Sequence, residues 1–243
     1  MKTFIGCSGF SYNDWKGCFY PHDLPDNQWL SYYAEKFNTV EINNSFYQFP
    51  KKESLKEWVS QTPAHFRFSI KAHRFFTHLK KFKIDTSFME KLDNFQAPLS
   101  AVKEKGGCVL WQTPGNLHKN ISKLESFCQK LDMDFTHVLE FRHRSWFDDK
   151  VYEVLKKNNV AFCIISAPGD LPEEIVATHR TAYVRFHGKK DWYDYLYSNG
   201  ELKEWSKRLG KLNNIDRLFI YFNNDKHGNA VKNALTFKKL LNV

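Results

Sequence analysis

Short apolar runs rich in β-formers recur along the chain, at residues 3–7, 39–43, 67–71, 107–112, 137–141, 160–165, 182–186 and 218–222. Each is brief, bounded by polar or turn-forming residues, and predicts a strand. Between them apolar side chains repeat at helical spacing. Trp29, Leu30, Tyr33, Ala34 and Phe37 make one stripe; Leu124, Phe127, Cys128 and Leu131 a second; Leu202, Trp205, Leu209 and Leu212 a third. Residues 54–59, 151–155 and 230–241 read likewise, and 171–178 predicts a short helix opened by Pro172. Strand and helix alternating in this way build a parallel sheet, and eight such units predict a single (β/α)8 TIM-type barrel over residues 1–243. An open doubly wound sheet is the alternative, because periodicity counts strands without showing closure. Residues 73–97 are long for one connection and predict an irregular excursion above the barrel mouth.

Composition narrows the class. With 42% hydrophobic and 26% charged residues, and only 11 Gly and 8 Pro, the chain of 243 residues has the makings of a large core, which excludes disorder and collagen-like structure. The longest apolar run, 160–165, falls far short of the ~20 residues a membrane span needs. No membrane partner is expected, and the strand-like start at Thr3 predicts no secretory leader. The five cysteines are scattered with no C-x-x-C spacing, so they are expected to be reduced packing residues of a cytoplasmic protein. Thirty-six Lys and Arg against 27 Asp and Glu leave a basic protein of net charge +9, a balance that favours anionic partners.

In a barrel the functional groups sit where strands end at the C-terminal mouth, and residues two apart on a strand share a face. Three strand ends carry a polar pair around one apolar residue: Glu41 and Asn43 around Ile42, Glu140 and Arg142 around Phe141, Arg185 and His187 around Phe186. With helices outside, the polar members must face the lumen. Lys71, His73, Gln112, Asn223 and Asn224 add to the same mouth. Two carboxylates against Lys71, Arg142 and Arg185 leave one positive charge in excess, so a small anionic molecule is the expected ligand. Arg142 and Arg185 suit a carboxylate or phosphate, while Asn43, His73, Gln112, Asn223 and Asn224 suit hydroxyl or amide groups. Glu41, Glu140 and His187 are the candidate acid and base groups, and Lys71 offers a nucleophilic amine.

No residue is assigned to a metal: the strand ends lack H-x-H and H-E-x-x-H spacings, and the adjacent cations oppose one. No Gly-rich phosphate loop is present, and no cofactor is indicated. The stretch from Lys71 to Lys83 mixes five Lys or Arg with two His and four Phe or Leu. That pattern suits phosphate contacts with base stacking, or a solvated loop with Phe75 and Phe76 packed beneath.

Taken in order, the pieces Gly6-Cys7-Ser8-Gly9-Phe10-Ser11-Tyr12 with Trp15, Val40-Glu41-Ile42-Asn43 with Ser45-Phe46-Tyr47, Phe68-Ser69-Ile70-Lys71-Ala72, Gln112-Thr113-Pro114, Glu140-Phe141-Arg142-His143 with Ser145-Trp146, Val184-Arg185-Phe186-His187-Gly188 and Tyr221-Phe222-Asn223-Asn224-Asp225 resemble the YecE-like family, or domain of unknown function 72. The resemblance covers essentially the whole chain and implies a (β/α)8-type barrel; it implies no particular activity. Phe10 and Cys7 stand where that family often has Trp and Thr.

The leading expectation is an enzyme that binds a small anionic, hydroxylated ligand at the mouth and works by acid/base chemistry, with Lys71 as an alternative Schiff-base nucleophile. Among glycosidases, Glu41 and Glu140 would suit an inverting rather than a retaining pair, since they lie on separated strands. The alternatives from other classes are a nucleic-acid-binding or processing protein, using Lys80, Lys81 and Lys83, and a non-catalytic ligand-binding module.

Overall fold

The computed structural model describes residues 1–243. All eight predicted strands form, with ends within one residue of the apolar runs: β1 (Lys2–Cys7), β2 (Thr39–Ile42), β3 (Arg67–Lys71), β4 (Gly106–Gln112), β5 (Thr136–Glu140), β6 (Ala161–Ser166), β7 (Thr181–Phe186) and β8 (Arg217–Phe222). They pair in parallel in the order β1-β8-β7-β6-β5-β4-β3-β2, a nearly closed barrel. Seven α-helices surround it: α1 (Trp29–Lys36), α2 (Lys52–Ser60), α3 (Thr86–Gln96), α4 (Ile121–Cys128), α5 (Asp149–Lys157), α6 (Asn199–Leu209) and α7 (Asn229–Leu241). None is long and apolar enough to cross a membrane.

Strand alternation sorts the side chains into two cores. Ile42, Phe141 and Phe186 turn outward into the large cluster beneath the helices. Inside, a smaller cluster fills the lower lumen, with Phe4 stacked on Phe219 at 4.6 Å and Tyr183 and Tyr221 above them. Above this plug the charged strand-borne groups Glu41, Glu140 and Arg185 meet in the upper lumen.

The seam between β1 and β2 is closed largely by side chains. Asn38 accepts from the Ile5 amide at 2.9 Å and donates to the Thr3 carbonyl at 3.0 Å. The Tyr33 hydroxyl accepts from the Cys7 amide at 2.6 Å and donates to the Thr39 carbonyl at 3.1 Å. Only at the mouth do the backbones meet directly, the Gly9 amide donating to the Glu41 carbonyl at 2.8 Å. Each orphaned edge group thus finds a partner, as buried backbone requires. Gly6 permits this approach: a Cβ there would lie 2.0 Å from the Thr39 carbonyl oxygen and 2.6 Å from the Tyr33 hydroxyl.

Two expectations are corrected. The helix predicted over 171–178 does not form; β6 runs to β7 through an irregular strap. Its side chains are tied to the barrel wall instead. Glu173 accepts from Ser166 Oγ at 2.8 Å and from Arg208 at 2.9 Å, and Thr178 Oγ1 accepts from the Phe162 amide at 2.7 Å. Of the cysteines, Cys7, Cys108, Cys128 and Cys163 are buried packing residues, but Cys18 is exposed. The predicted excursion over 73–97 is present as a π-helical turn, Phe75–Leu79, followed by α3.

Gly6→Ala is expected to destabilise the fold by at least about 2 kcal/mol, because the added methyl strikes backbone that cannot move without opening the seam. Gly200→Ala, in the first turn of α6 with open space at its Cβ, should instead be neutral or stabilising by up to ~1 kcal/mol. Denaturant unfolding of the two variants checks the contrast, and equal effects would refute the seam account.

Candidate active site

Glu41, Glu140 and Arg185 project from β2, β5 and β7 into the upper lumen, where all three are fully buried. The Arg185 guanidinium lies between the carboxylates, donating from Nη2 to Glu41 Oε1 at 2.6 Å and from Nη1 to Glu140 Oε2 at 2.5 Å. Ser8 Oγ and the Tyr183 hydroxyl complete Glu41 with donations at 2.6 and 2.5 Å, and Arg142 Nε donates to Glu140 Oε1. Burial alone would raise the Glu140 pKa, but Arg142 and Arg185, joined by His187, outweigh it and hold the carboxyl well below the usual carboxylate range. Two carboxylates and two guanidinia therefore cancel. Such a cluster is retained only when every charge is matched, since each buried ion costs several kcal/mol.

His187 caps this cluster. Arg142 Nη2 lies 3.0 Å from its Nε2 and Asn223 Nδ2 lies 2.9 Å from its Nδ1, while the Trp192 ring, itself under the Arg142 guanidinium at 4.3 Å, sits 5.5 Å away. Burial first, and Arg142 second, push the imidazole pKa well below its ordinary value. The direction of the shift favours the neutral imidazole over the near-neutral titration that the sequence suggested.

The excess positive charge resides on Lys71. Its side chain, at the end of β3, makes no ion pair or hydrogen bond to the protein; its Nζ lies over the Phe46 ring, 4.2 Å from the centroid. Burial, and the cation of Arg185 next, lower its pKa to about 7. A cavity of about 200 Å³ opens beside it, lined also by Tyr12, Asn43, Tyr193, Asn223 and Asp225. Asp225 follows β8 and has no ion-pair partner either; burial, then the like charge of Asp14, raises its pKa to about 6. The Asn43 Oδ1 atom is buried without a hydrogen-bond partner. Tyr12 and Asn43 also line a second, more apolar cavity of about 230 Å³ bounded by Phe10, Ile42 and Trp58.

A family model described as "Protein of unknown function DUF72" matches residues 4–243. The chain belongs to the DUF72 family. It is similar to the UPF0759 protein YunF of Bacillus subtilis, with 29% identity over 271 residues covering 99% of this chain and 95% of that protein. A crystal structure of a DUF72 family protein from Thermotoga maritima superposes with a TM-score of 0.89 at 31% identity, each chain covered completely. A crystal structure of D-psicose 3-epimerase in the presence of D-fructose shares the barrel alone, with a TM-score of 0.54 at 10% identity over 100% of this chain and 96% of that one.

In this DUF72 barrel, then, Glu41, Glu140, Arg142, Arg185 and His187 converge as expected, but on one another. Arg142 and Arg185 are occupied, and the space between the two glutamates is filled by a guanidinium where an inverting glycosidase pair would need room for water and sugar. Glu41, Glu140, His187 and Asp225 form no ligand cluster for a metal ion. Asn43, Lys71 and Asn223 reach the cavity. His73 does not: it bonds the Tyr47 carbonyl at 3.0 Å and receives the Phe75 amide at 3.1 Å, pinning one loop to the next. Asn224 faces α7, donating to Asn233 Oδ1 at 2.8 Å and to the Tyr195 carbonyl at 2.6 Å. Gln112 is not among the residues that line the cavity. Of the other cavity residues, Tyr12 and Phe46 stand in the sequence only within the family motifs, Asp225 there and as a candidate metal ligand set aside, and Tyr193 carries no sequence signal, although Asp225 stands in step with Tyr221 and Asn223 along one face.

Two substitutions separate frame from site. Glu140→Gln breaks a buried network and should cost about 3–5 kcal/mol. Lys71→Met should stabilise by about 1 kcal/mol or more at pH 7, since it removes a half-buried, desolvated amine with no ion-pair partner. The unfolded chain keeps the Lys71 proton up to its ordinary pKa of 10.5 whereas the folded chain releases it near 7, so between those values the unfolded state binds more protons and stability rises with pH. Lys71→Met is expected to flatten that rise in denaturation series at pH 7 and 9; an unchanged slope would place the charge elsewhere.

Proposed function

We propose that this chain is an enzyme that takes a small, hydroxylated anion at the C-terminal mouth of the barrel and moves protons with Lys71 and Asp225. The observation that carries this reading is that these two groups line one cavity without ion-pair partners, while Glu41, Glu140, Arg142 and Arg185 neutralise one another. Their pKa values, about 7 and about 6, lie where proton transfer in both directions is fast at neutral pH. An anionic group beside Lys71 supplies the missing counter-charge, and ligand hydroxyls satisfy the buried Asn43 Oδ1 and the Asn223 amide. Glu41, Glu140 and His187 act in this reading as the frame that keeps the lysine unpaired.

A second reading, nucleic-acid binding, is favoured by three aromatic rings exposed on the mouth loops: Tyr47 at 66%, Tyr193 at 43% and Trp192 at 38%. Exposed Arg74, Lys83 and Lys190 belong to the loops after β3 and β7, where Lys189 is paired with Glu201 at 3.3 Å. Lys80, by contrast, is paired with Asp85 at 2.6 Å, and Phe76 and Phe82 are buried, so the basic stretch keeps less free charge than its sequence implies.

Calorimetric titration with inorganic phosphate and with gluconate tests the first reading. Saturable binding of at least one is expected, weakened tenfold or more in Lys71→Met, consistent with loss of a charged partner. Binding of neither, alongside salt-sensitive binding of a single-stranded oligonucleotide, would favour the second reading and overturn the first.

A further inference from the structure

We infer that Lys71 engages its substrate covalently: a small aldehyde or ketone carrying an anionic group condenses with Nζ to form an imine in the mouth cavity. The inference rests on the reading given under Proposed function and names the substrate class for the same site.

Three features of the geometry carry it. First, Lys71 has no acceptor, although two carboxylates stand in the same lumen; Arg185 and Arg142 hold both, and the amine is left facing the Phe46 ring at 4.2 Å. Lys71 is half-buried, and it is the one cation of this cluster that no carboxylate holds. An amine that is desolvated and set beside a guanidinium is instead available in its neutral, nucleophilic form. Second, the cavity of about 200 Å³ beside the amine has room for a carbonyl compound of a few carbons with one anionic group. Third, Asp225 lines the same cavity without an ion-pair partner.

The chemistry balances with these groups alone. The Lys71 nitrogen attacks the carbonyl carbon, forming the C–N bond, and the amine proton passes to the carbonyl oxygen to give a carbinolamine. The Asp225 carboxyl protonates that hydroxyl, which leaves as water while the nitrogen lone pair closes the C=N bond. The product is a protonated imine, with Asp225 left as the carboxylate that stabilises it and takes up the next proton. Carbonyl and amine become imine and water, with no oxidant or reductant involved.

Trapping tests the inference. The full-length chain is incubated separately with dihydroxyacetone phosphate and with glyoxylate in the presence of sodium borohydride, then analysed by intact mass and peptide mapping. The expected result is one reduced adduct per chain on the peptide containing Lys71, absent from Lys71→Arg and Lys71→Met, unchanged in Lys80→Met, and formed at least tenfold more slowly in Asp225→Asn. Lys71→Arg keeps the positive charge, and its melting curve, with that of Lys71→Met, shows whether the fold is retained. Phosphate or gluconate binding by the wild type with no adduct from either carbonyl compound would overturn the imine while leaving the anion site standing. Loss of both binding and adduct would overturn the two together, and adducts scattered over exposed lysines, equal in wild type and Lys71→Arg, would also overturn the imine.

Discussion

The Arg185 guanidinium, fully buried between Glu41 and Glu140, ties β2, β5 and β7 together across the upper lumen. Its planar fork meets one oxygen of each carboxylate, an arrangement that a lysine point charge does not reproduce. Because Arg142 completes Glu140, and Ser8 and Tyr183 complete Glu41, every carboxylate oxygen has a donor without Lys71, and the pull of the two carboxylates on the lysine is outweighed by its desolvation and by Arg185. The lysine is thereby kept in a desolvated, cation-lined position that favours its neutral form. The same frame fixes His187 in a neutral state against Arg142 and Asn223. The polar interior of this barrel is thus two things: a closed ionic frame and, above it, an amine and a carboxyl group with nothing to pair with.

Closure of the barrel is what brings this about. Ser8 reaches Glu41 only because β1 and β2 are drawn together by Asn38, Tyr33 and the absence of a side chain at Gly6. The lower lumen, plugged by Phe4, Phe219, Tyr183 and Tyr221, keeps water from the ionic frame from below. Stability and site are therefore coupled through the seam, and a change at Gly6 reaches the mouth by way of Ser8 and Glu41.

The strands were legible because alternation writes the two faces of a barrel strand directly: Ile42, Phe141 and Phe186 outward, Glu41, Glu140 and Arg185 inward. The same parity, carried through, separates Asp225, in step with Asn223, from Asn224, which turns to α7. It also places Tyr183 with Arg185. What parity does not contain is angular position around the ring. Nor does it contain height along the barrel: Lys71, Arg142 and Arg185 count equally as cations in sequence, yet Arg185 holds both glutamates while Lys71, on the strand beside β2 but two residues beyond Ser69, the register partner of Glu41, pairs with neither. His73 shares the face of Lys71, yet its loop is held to Tyr47 by a backbone contact that no pattern announces. The strap over 171–178 failed as a helix because Pro172 marks a permissible start, whereas the decisive bonds, from Ser166 and Arg208 to Glu173, come from elsewhere in the chain.

The division between a closed frame and a free lysine is tested most directly by NMR titration of a chain carrying 13C-labelled lysine and glutamate side chains, assigned with Lys71→Met and Glu140→Gln. The account predicts one lysine Cε resonance, missing from Lys71→Met, that titrates near pH 7, and a Glu140 carboxyl that titrates well below its ordinary 4.5. A Lys71 that titrates near its ordinary 10.5, together with a Glu140 that titrates near its ordinary 4.5, would contradict it.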